Sequence, residues 1–214
     1  MDEQTLQQGE WTLLHAGRNA SKADVHVVRL QGRRFAVKDY RASPWRVRVT
    51  LGRWSLRREE RAYQALRHLP GIPTLAGRLG PYLLVTELVD AVSLADWEKG
   101  RPLPDGFFTR LKEVLQQVHE CGVVQGDLHH RDVLVGADGA AWLVDFSTSL
   151  CGGPRGNPIR RWMWRLAAQL DRRAVLKLQQ RYEPGTLTPE ETLEVAQVPR
   201  VYRWGKSLRR LLRR

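Results

Sequence analysis

The stretch VVQGDLHHRDVLV, residues 123–135, constrains this chain more than any other. An apolar run, Val123-Val124, leads into Gly126 and Asp127, then a knot of two histidines, an arginine and Asp132, before Val133-Leu134-Val135 resumes the apolar pattern. Such a knot is poor core material, because taking ions out of water costs several kcal/mol each unless every one is paired. The pattern therefore predicts an exposed loop between two short strands, presenting two carboxylates five residues apart. A turn at Ala137-Asp138-Gly139 and a second apolar run, Ala141–Val144, complete a hairpin that ends in Asp145-Phe146-Ser147.

The rest of the chain sets this loop in a two-part frame. Residues 11–17, 25–30 and 33–39 read as short strands, with Gln31-Gly32 as a tight turn between the last two. Residues 53–68 read as a helix with Leu56, Glu59, Tyr63 and Leu66 on one face, stopped by Pro70-Gly71. Residues 82–88 form an apolar run of strand length, and the composition changes after Asp90. Helical spacing runs through Phe108, Leu111, Leu115 and Val118, and the remainder reads as helix broken at Pro154, Pro158, Pro184-Gly185 and Pro199. The expected class is α+β with two lobes: a small strand-rich lobe over residues 1–88, a compact helical lobe over 89–198, and a basic segment at 199–214.

A chain of 214 residues, 42% hydrophobic, is long enough to bury one substantial core. No apolar run approaches the ~20 residues of a membrane span. The acidic, polar start MDEQTLQQGE is not expected to act as a secretory leader. Cys121 and Cys151 have neither metal-ligand spacing nor a disulfide framework, so reduced thiols and a cytoplasmic location are expected. The net charge of +12 is uneven: residues 151–214 hold 15 Lys and Arg against 5 Asp and Glu, residues 1–150 hold 20 against 18. A near-neutral body with a basic end is expected to meet something anionic, with lipid headgroups, nucleic acid and acidic glycans all open.

Five charged residues follow in a meaningful order. Lys38 lies near the end of the strand Phe35-Ala36-Val37-Lys38, with alternation turning it away from Val37; Glu59 lies on the next helix, within reach as an ion pair. Asp127 and Asp132 sit on the polar loop, and Asp145 ends the following strand. Taken singly, each has an ordinary role as a solvated lysine, a surface glutamate among arginines or a turn-capping aspartate. Taken together and in order, they match what phosphoryl transfer from ATP needs. A lysine neutralises phosphate oxygens, a glutamate fixes it, an aspartate orients the hydroxyl, and two oxygen ligands hold magnesium.

The chain resembles the protein-kinase-like fold, and within it the compact RIO-type and lipopolysaccharide (Kdo-type) kinases, over roughly residues 11–150. SKADVHVV (21–28) is similar to a phosphate-binding loop without the usual glycine repeat, FAVKDY to the lysine strand, and REERAY (58–63) to the glutamate helix, with Glu60 as the alternate. LVTELVDAVSL (84–94) resembles the hinge, QGDLHHRDVLV a His-Gly-Asp loop ending in asparagine, and VDFS an Asp-Phe-Gly element. The resemblance implies Asp127 and Lys38 as catalytic residues and Asp132 and Asp145 as magnesium ligands. It implies nucleotide contacts from Ser21, Lys22, Lys38, Glu59 and the backbone of Glu87 and Leu88. This sequence departs from the pattern at Asp132 for asparagine, Gln125 for histidine and Ser147 for glycine. No catalytic position is lost, so an active enzyme using ATP and Mg2+ is expected. His129 is expected to hydrogen-bond within the loop and His130 to be solvated; adjacent histidines without a third ligand do not make a zinc site.

Two basic, tryptophan-bearing stretches bear on the acceptor. PRVYRWGKSLRRLLRR (199–214) holds seven Lys and Arg and no acid, with Val201, Trp204, Leu208, Leu211 and Leu212 at helical spacing. It suits either the interface of an anionic membrane or packing on the helical lobe. Arg41, Arg46, Arg48, Arg53, Arg57 and Arg58 alternate with Trp45, Val47, Val49 and Trp54. Both favour a bulky anionic acceptor, lipopolysaccharide sugar or protein, at the inner face of the plasma membrane, with nucleic acid less favoured. A serine/threonine protein kinase, an aminoglycoside- or choline-type small-molecule kinase, and a catalytically weak nucleotide-binding protein remain the alternatives.

Overall fold

The computed structural model describes residues 3–17, 22–97 and 101–196. After a short helix α1 (Glu3–Gln7), β1 (Glu10–His15), β2 (Asp24–Leu30) and β3 (Arg33–Asp39) follow. A three-residue turn of helix, α2 (Trp45–Val47), passes through one π-helical turn (Arg48–Gly52) into α3 (Arg53–Ala65). The strands β4 (Leu75–Leu79) and β5 (Leu83–Glu87) complete an antiparallel five-stranded sheet in the order β1-β2-β3-β5-β4. Its β2–β3 hairpin turns through Gln31 and Gly32 with φ of 51° and 77°. Two positive φ angles give the turn whose twist matches the strands it joins, and glycine enters it without steric cost.

The second lobe begins with β6 (Ala91–Ser93) and α4 (Phe107–Glu120). The strands β7 (Val123–Val124), β8 (Val133–Gly136), β9 (Ala141–Leu143) and β10 (Leu150–Cys151) form two small sheets, β6-β8-β9 and β10-β7. Two helices end the described chain, α5 (Pro158–Tyr182) and α6 (Pro189–Ala196). Pro158 opens α5 at its first position, where a missing N–H costs nothing, and the Asn157 side chain accepts from Arg160 N at 2.8 Å to cap it. A sheet-based lobe and a helical lobe therefore make up a mixed α+β fold. No helix among the described residues is long and apolar enough to cross a membrane.

Alternation along β3 splits its side chains between two cores. Phe35 and Val37 point to the outer face, packing with Leu6 of α1, Val28, Leu79, Leu83 and Val85. Lys38 and Ala36 lie on the inner face, which is lined by α3. The larger core runs on from there: Leu56 and Tyr63 of α3 and Leu66 just after it join Phe107, Phe108, Leu111, Leu115 and Val118 of α4 and Val133, Val135 and Leu143 of the β8–β9 hairpin. Helix α3 thus belongs to both lobes, and its inner face is held against the segment that follows β9.

Candidate active site

Glu59 lies on that inner face. The 3.6-residue period that buries Leu56 and Tyr63 also buries Glu59, which is 1% exposed. A bare carboxylate there would be untenable, and it is neutralised by Lys38, whose Nζ donates to Glu59 Oε1 at 2.6 Å. The same Nζ donates to Asp145 Oδ1 at 2.8 Å. One ammonium from β3 therefore bridges a carboxylate of α3 and one that follows β9. Glu60, the alternate partner, turns the other way and takes Arg78 Nε of β4 at 2.6 Å.

The charges set one another's ionisation. Burial pulls the Lys38 ammonium down, but Asp145 and Glu59 more than offset it and hold its pKa well above the ordinary lysine value. Burial opposes ionisation of Asp145 too; Lys38 and the Ser147 contacts prevail and keep it well below the usual carboxylate range. Glu59 is raised by burial, with Lys38 working against the rise. Asp132 has no ion-pair partner among the described residues: burial first, then the charge of Asp145, pushes it up to about 7, with the His129 N–H and the more distant Lys38 working against the rise.

Backbone geometry aims these groups. Asp145 has φ of 63°, a left-handed conformation that costs a residue with a Cβ roughly 1–2 kcal/mol. Such strain persists only where the surroundings over-determine it. Ser147 N donates back to Asp145 Oδ1 at 3.2 Å, and Gln125 Nε2 donates to the carbonyls of Val144 at 2.8 Å and Asp145 at 3.1 Å. Asp132 is fixed by His129 N, which donates to its Oδ2 at 2.8 Å. Asp127 stands at the rim, exposed, with His129 Nε2 3.4 Å from its Oδ1. His130 is half-buried with Nδ1 3.3 Å from the Tyr182 hydroxyl, which corrects the expectation of a solvated side chain.

Several supports were not visible in the sequence. Asp171 of α5, 1% exposed, accepts from the backbone N–H of Gln125 at 2.7 Å and of Gly126 at 2.8 Å, with His119 Nε2 3.3 Å away. It fixes the loop that carries Asp127 from beneath. Its one sequence signal is an acid between Leu170 and Ala174 in an arginine-rich helix. Arg58 of α3 donates to Thr148 O at 2.6 Å and to Ser149 O, stacking 4.2 Å from the Trp54 ring. Tyr63 meets Phe146 edge-on at 5.3 Å. Both tie α3 to the segment after Asp145.

The expected nucleotide contacts divide. Lys38 and Glu59 meet, as above. Lys22 is exposed in the loop before β2, and Ser21 lies outside the described residues. The N–H of Glu87 donates to Thr74 O at 2.9 Å and that of Leu88 to Arg34 O at 3.0 Å, so both amide hydrogens are engaged within the protein. The Glu87 carboxylate turns onto Arg33.

A magnesium ion fits the donor set. Among the described residues no three His, Cys, Asp or Glu side chains cluster as a closed metal cage. Asp132 and Asp145 instead offer hard oxygen donors whose mutual repulsion a divalent cation would relieve. Magnesium commonly takes one or two carboxylates and completes its shell with phosphate and water. Beside Asp127 opens a cleft of about 520 Å3, lined also by His129, His130 and by Arg173, Lys177 and Arg181 of α5.

Comparison with known proteins agrees with this architecture. No protein-family model and no curated protein sequence matches the chain. Among solved structures it is similar to the Rio2 kinase of Chaetomium thermophilum in its complex with ADP, Mg2+ and phosphoaspartate, at 16% identity and a TM-score of 0.60 over 90% of this chain. A second structure of the Rio2 kinase from that organism matches at 15% identity and a TM-score of 0.62 over 89% of the chain. The chain spans 62% and 63% of the length of those two proteins. At such identities the likeness establishes the fold, an atypical protein-kinase-like one.

Proposed function

We propose that this chain is a phosphotransferase that moves the γ-phosphate of ATP to a hydroxyl. The observation that carries the reading is the Lys38 ammonium held between Glu59 and Asp145 at 2.6 and 2.8 Å. An ammonium locked between two carboxylates stays charged through the working pH range and is positioned to neutralise phosphate oxygens. Asp145 and Asp132 would hold Mg2+, which when bound neutralises charge building on the phosphates. Asp127, free of any ammonium partner among the described residues, accepts the proton of the attacking hydroxyl and aligns its oxygen with the terminal phosphorus. The new O–P bond forms as the bond to the ADP oxygen breaks. The Rio2 kinase complex with ADP and Mg2+ supports the choice of nucleotide and ion.

The acceptor is an anionic one, a lipopolysaccharide sugar or an acidic protein segment, entering the cleft beside Asp127. Arg173, Lys177 and Arg181 recur every four residues and so lie along one side of α5, where they give the cleft a basic wall. Asp127→Asn is expected to abolish turnover of labelled ATP while leaving nucleotide affinity within about twofold, since only the hydroxyl's orienter is lost. Unchanged turnover in that variant refutes the assignment.

A further inference from the structure

Seven of the eleven exposed large hydrophobic side chains among the described residues fall in two short segments. Trp45, Val49, Leu51 and Trp54 project from α2, the π turn and the start of α3; Ile159, Trp162 and Met163 project from the first turns of α5. Residues 45–58 and 155–165 also hold nine arginines and no Asp or Glu. Arg46, Arg57, Arg155, Arg160, Arg161 and Arg165 are exposed.

The two segments converge on one strand. Arg58 of α3 donates to the carbonyls of Thr148 and Ser149, just before β10, and Arg160 of α5 donates to Cys151 O within β10 at 2.8 Å. Arg58, Arg61 and Arg160 all lie close enough to Cys151 to act on its thiol. The two segments that carry the exposed tryptophans and aliphatic side chains are thus both tied to residues 148–151, and each carries exposed arginines among those side chains.

We infer that this face docks on an anionic lipid bilayer, with the tryptophans and aliphatic groups in the headgroup region and the arginines on lipid phosphates. Tryptophan settles at that depth because its ring is apolar and its N–H remains wet, and arginine pairs with phosphate in a fixed fork. Nine arginines without an acid weigh against partners that are themselves basic. A second copy of the chain would set arginine against arginine. The chain's own residues 199–214 carry seven more basic groups and no acid, so they offer no complement. Single-stranded nucleic acid could stack on Trp45, Trp54 and Trp162 but would leave the exposed Val49, Leu51, Ile159 and Met163 without an apolar partner, which a bilayer supplies.

The face is scored without ATP, so its fate is separate from that of the phosphotransfer reading. The full chain is sedimented with vesicles of mixed phosphatidylglycerol and phosphatidylcholine, with phosphatidylcholine vesicles alone, and incubated with single-stranded RNA. Binding to the anionic vesicles is expected to exceed that to neutral ones by about tenfold or more. A Trp45→Ser, Leu51→Ser, Ile159→Ser, Trp162→Ser variant is expected to lose about tenfold of it, and Arg46→Glu with Arg161→Glu a similar amount. Circular dichroism and the thermal midpoint should stay unchanged, because every altered side chain is exposed. Equal sedimentation of the variants, equal binding to neutral vesicles, or capture of RNA without vesicle binding overturns the proposal.

Discussion

At the scale of single residues, the site is a chain of carboxylates of which one, Asp132, is largely buried without an ion-pair partner among the described residues. Asp132 is pushed up to about 7 by burial and then by Asp145, so near neutral pH its proton is easily lost or gained. Because the folded value is raised, the associated stability is present below the unfolded carboxylate pKa and is lost as pH rises through about 7. Asp132→Asn keeps an oxygen for His129 N and removes the charge. In metal-free buffer it should raise the thermal midpoint more at pH 8 than at pH 5, with an advantage of a few degrees, given roughly 2–4 °C per kcal/mol in a protein of this size. Equal gains at the two pH values would show a carboxylate that is not protonated in this range. Asp171 presents the opposite case, a buried acceptor with two backbone donors committed to it. In Asp171→Asn the amide NH2 would face one of those N–H groups in either orientation, so a loss of about 2 kcal/mol is expected. Thermal melting reads that loss directly, and turnover should fall with it while nucleotide affinity holds.

At the scale of elements, α3 decides whether the site is assembled. Its inner face supplies Glu59 to Lys38, Tyr63 to Phe146 and Arg58 to the carbonyls of Thr148 and Ser149. Arg58→Ala cuts the tether between this helix and the segment carrying Asp145, at a cost of about 1–2 kcal/mol for the orphaned carbonyls. Nucleotide affinity, measured by calorimetry, should weaken severalfold, and Arg58→Lys should not restore it, because a single ammonium cannot copy the fork. The pairing of α3 with β3 was legible from local rules: a 3.6-residue period carries Glu59 to the buried face, and a two-residue alternation sends Lys38 inward. The same period separates Glu59 from the alternate Glu60, which lies 100° further round the helix and turns to Arg78 of β4. Asp171, by contrast, was hidden: it acts on backbone groups 45 and 46 residues away, and no local period reports that. The strand β4 escaped because Leu-Ala-Gly-Arg-Leu does not alternate and its register shifts between Leu75 and Gly77. The expected adenine contacts at Glu87 and Leu88 rested on resemblance, and their amide hydrogens proved to be bound to Thr74 and Arg34.

At the scale of the whole molecule, the two lobes share one core. Tyr40, Leu56, Tyr63 and Leu84 from the sheet lobe are continuous with Phe107, Leu111, Val133 and Phe146 from the helical one. Domains that divide such a core cannot unfold separately without exposing the larger apolar cluster on both halves, which costs roughly 25 cal/mol per Å2 of surface uncovered. A single cooperative transition is therefore expected in scanning calorimetry, with calorimetric and van't Hoff enthalpies in agreement. Resolved transitions for the two lobes would mean that α3 does not weld them. Magnesium and ATP should then act on that one transition. At a hundred times its dissociation constant, a ligand bound only by the folded state adds about 2.7 kcal/mol. For a chain of this length that corresponds to a rise in the midpoint of roughly 5–10 °C. Lys38→Met removes the cation but leaves an apolar stem between Glu59 and Asp145, so it should abolish that rise. A rise that survives the substitution would place the nucleotide elsewhere on the molecule.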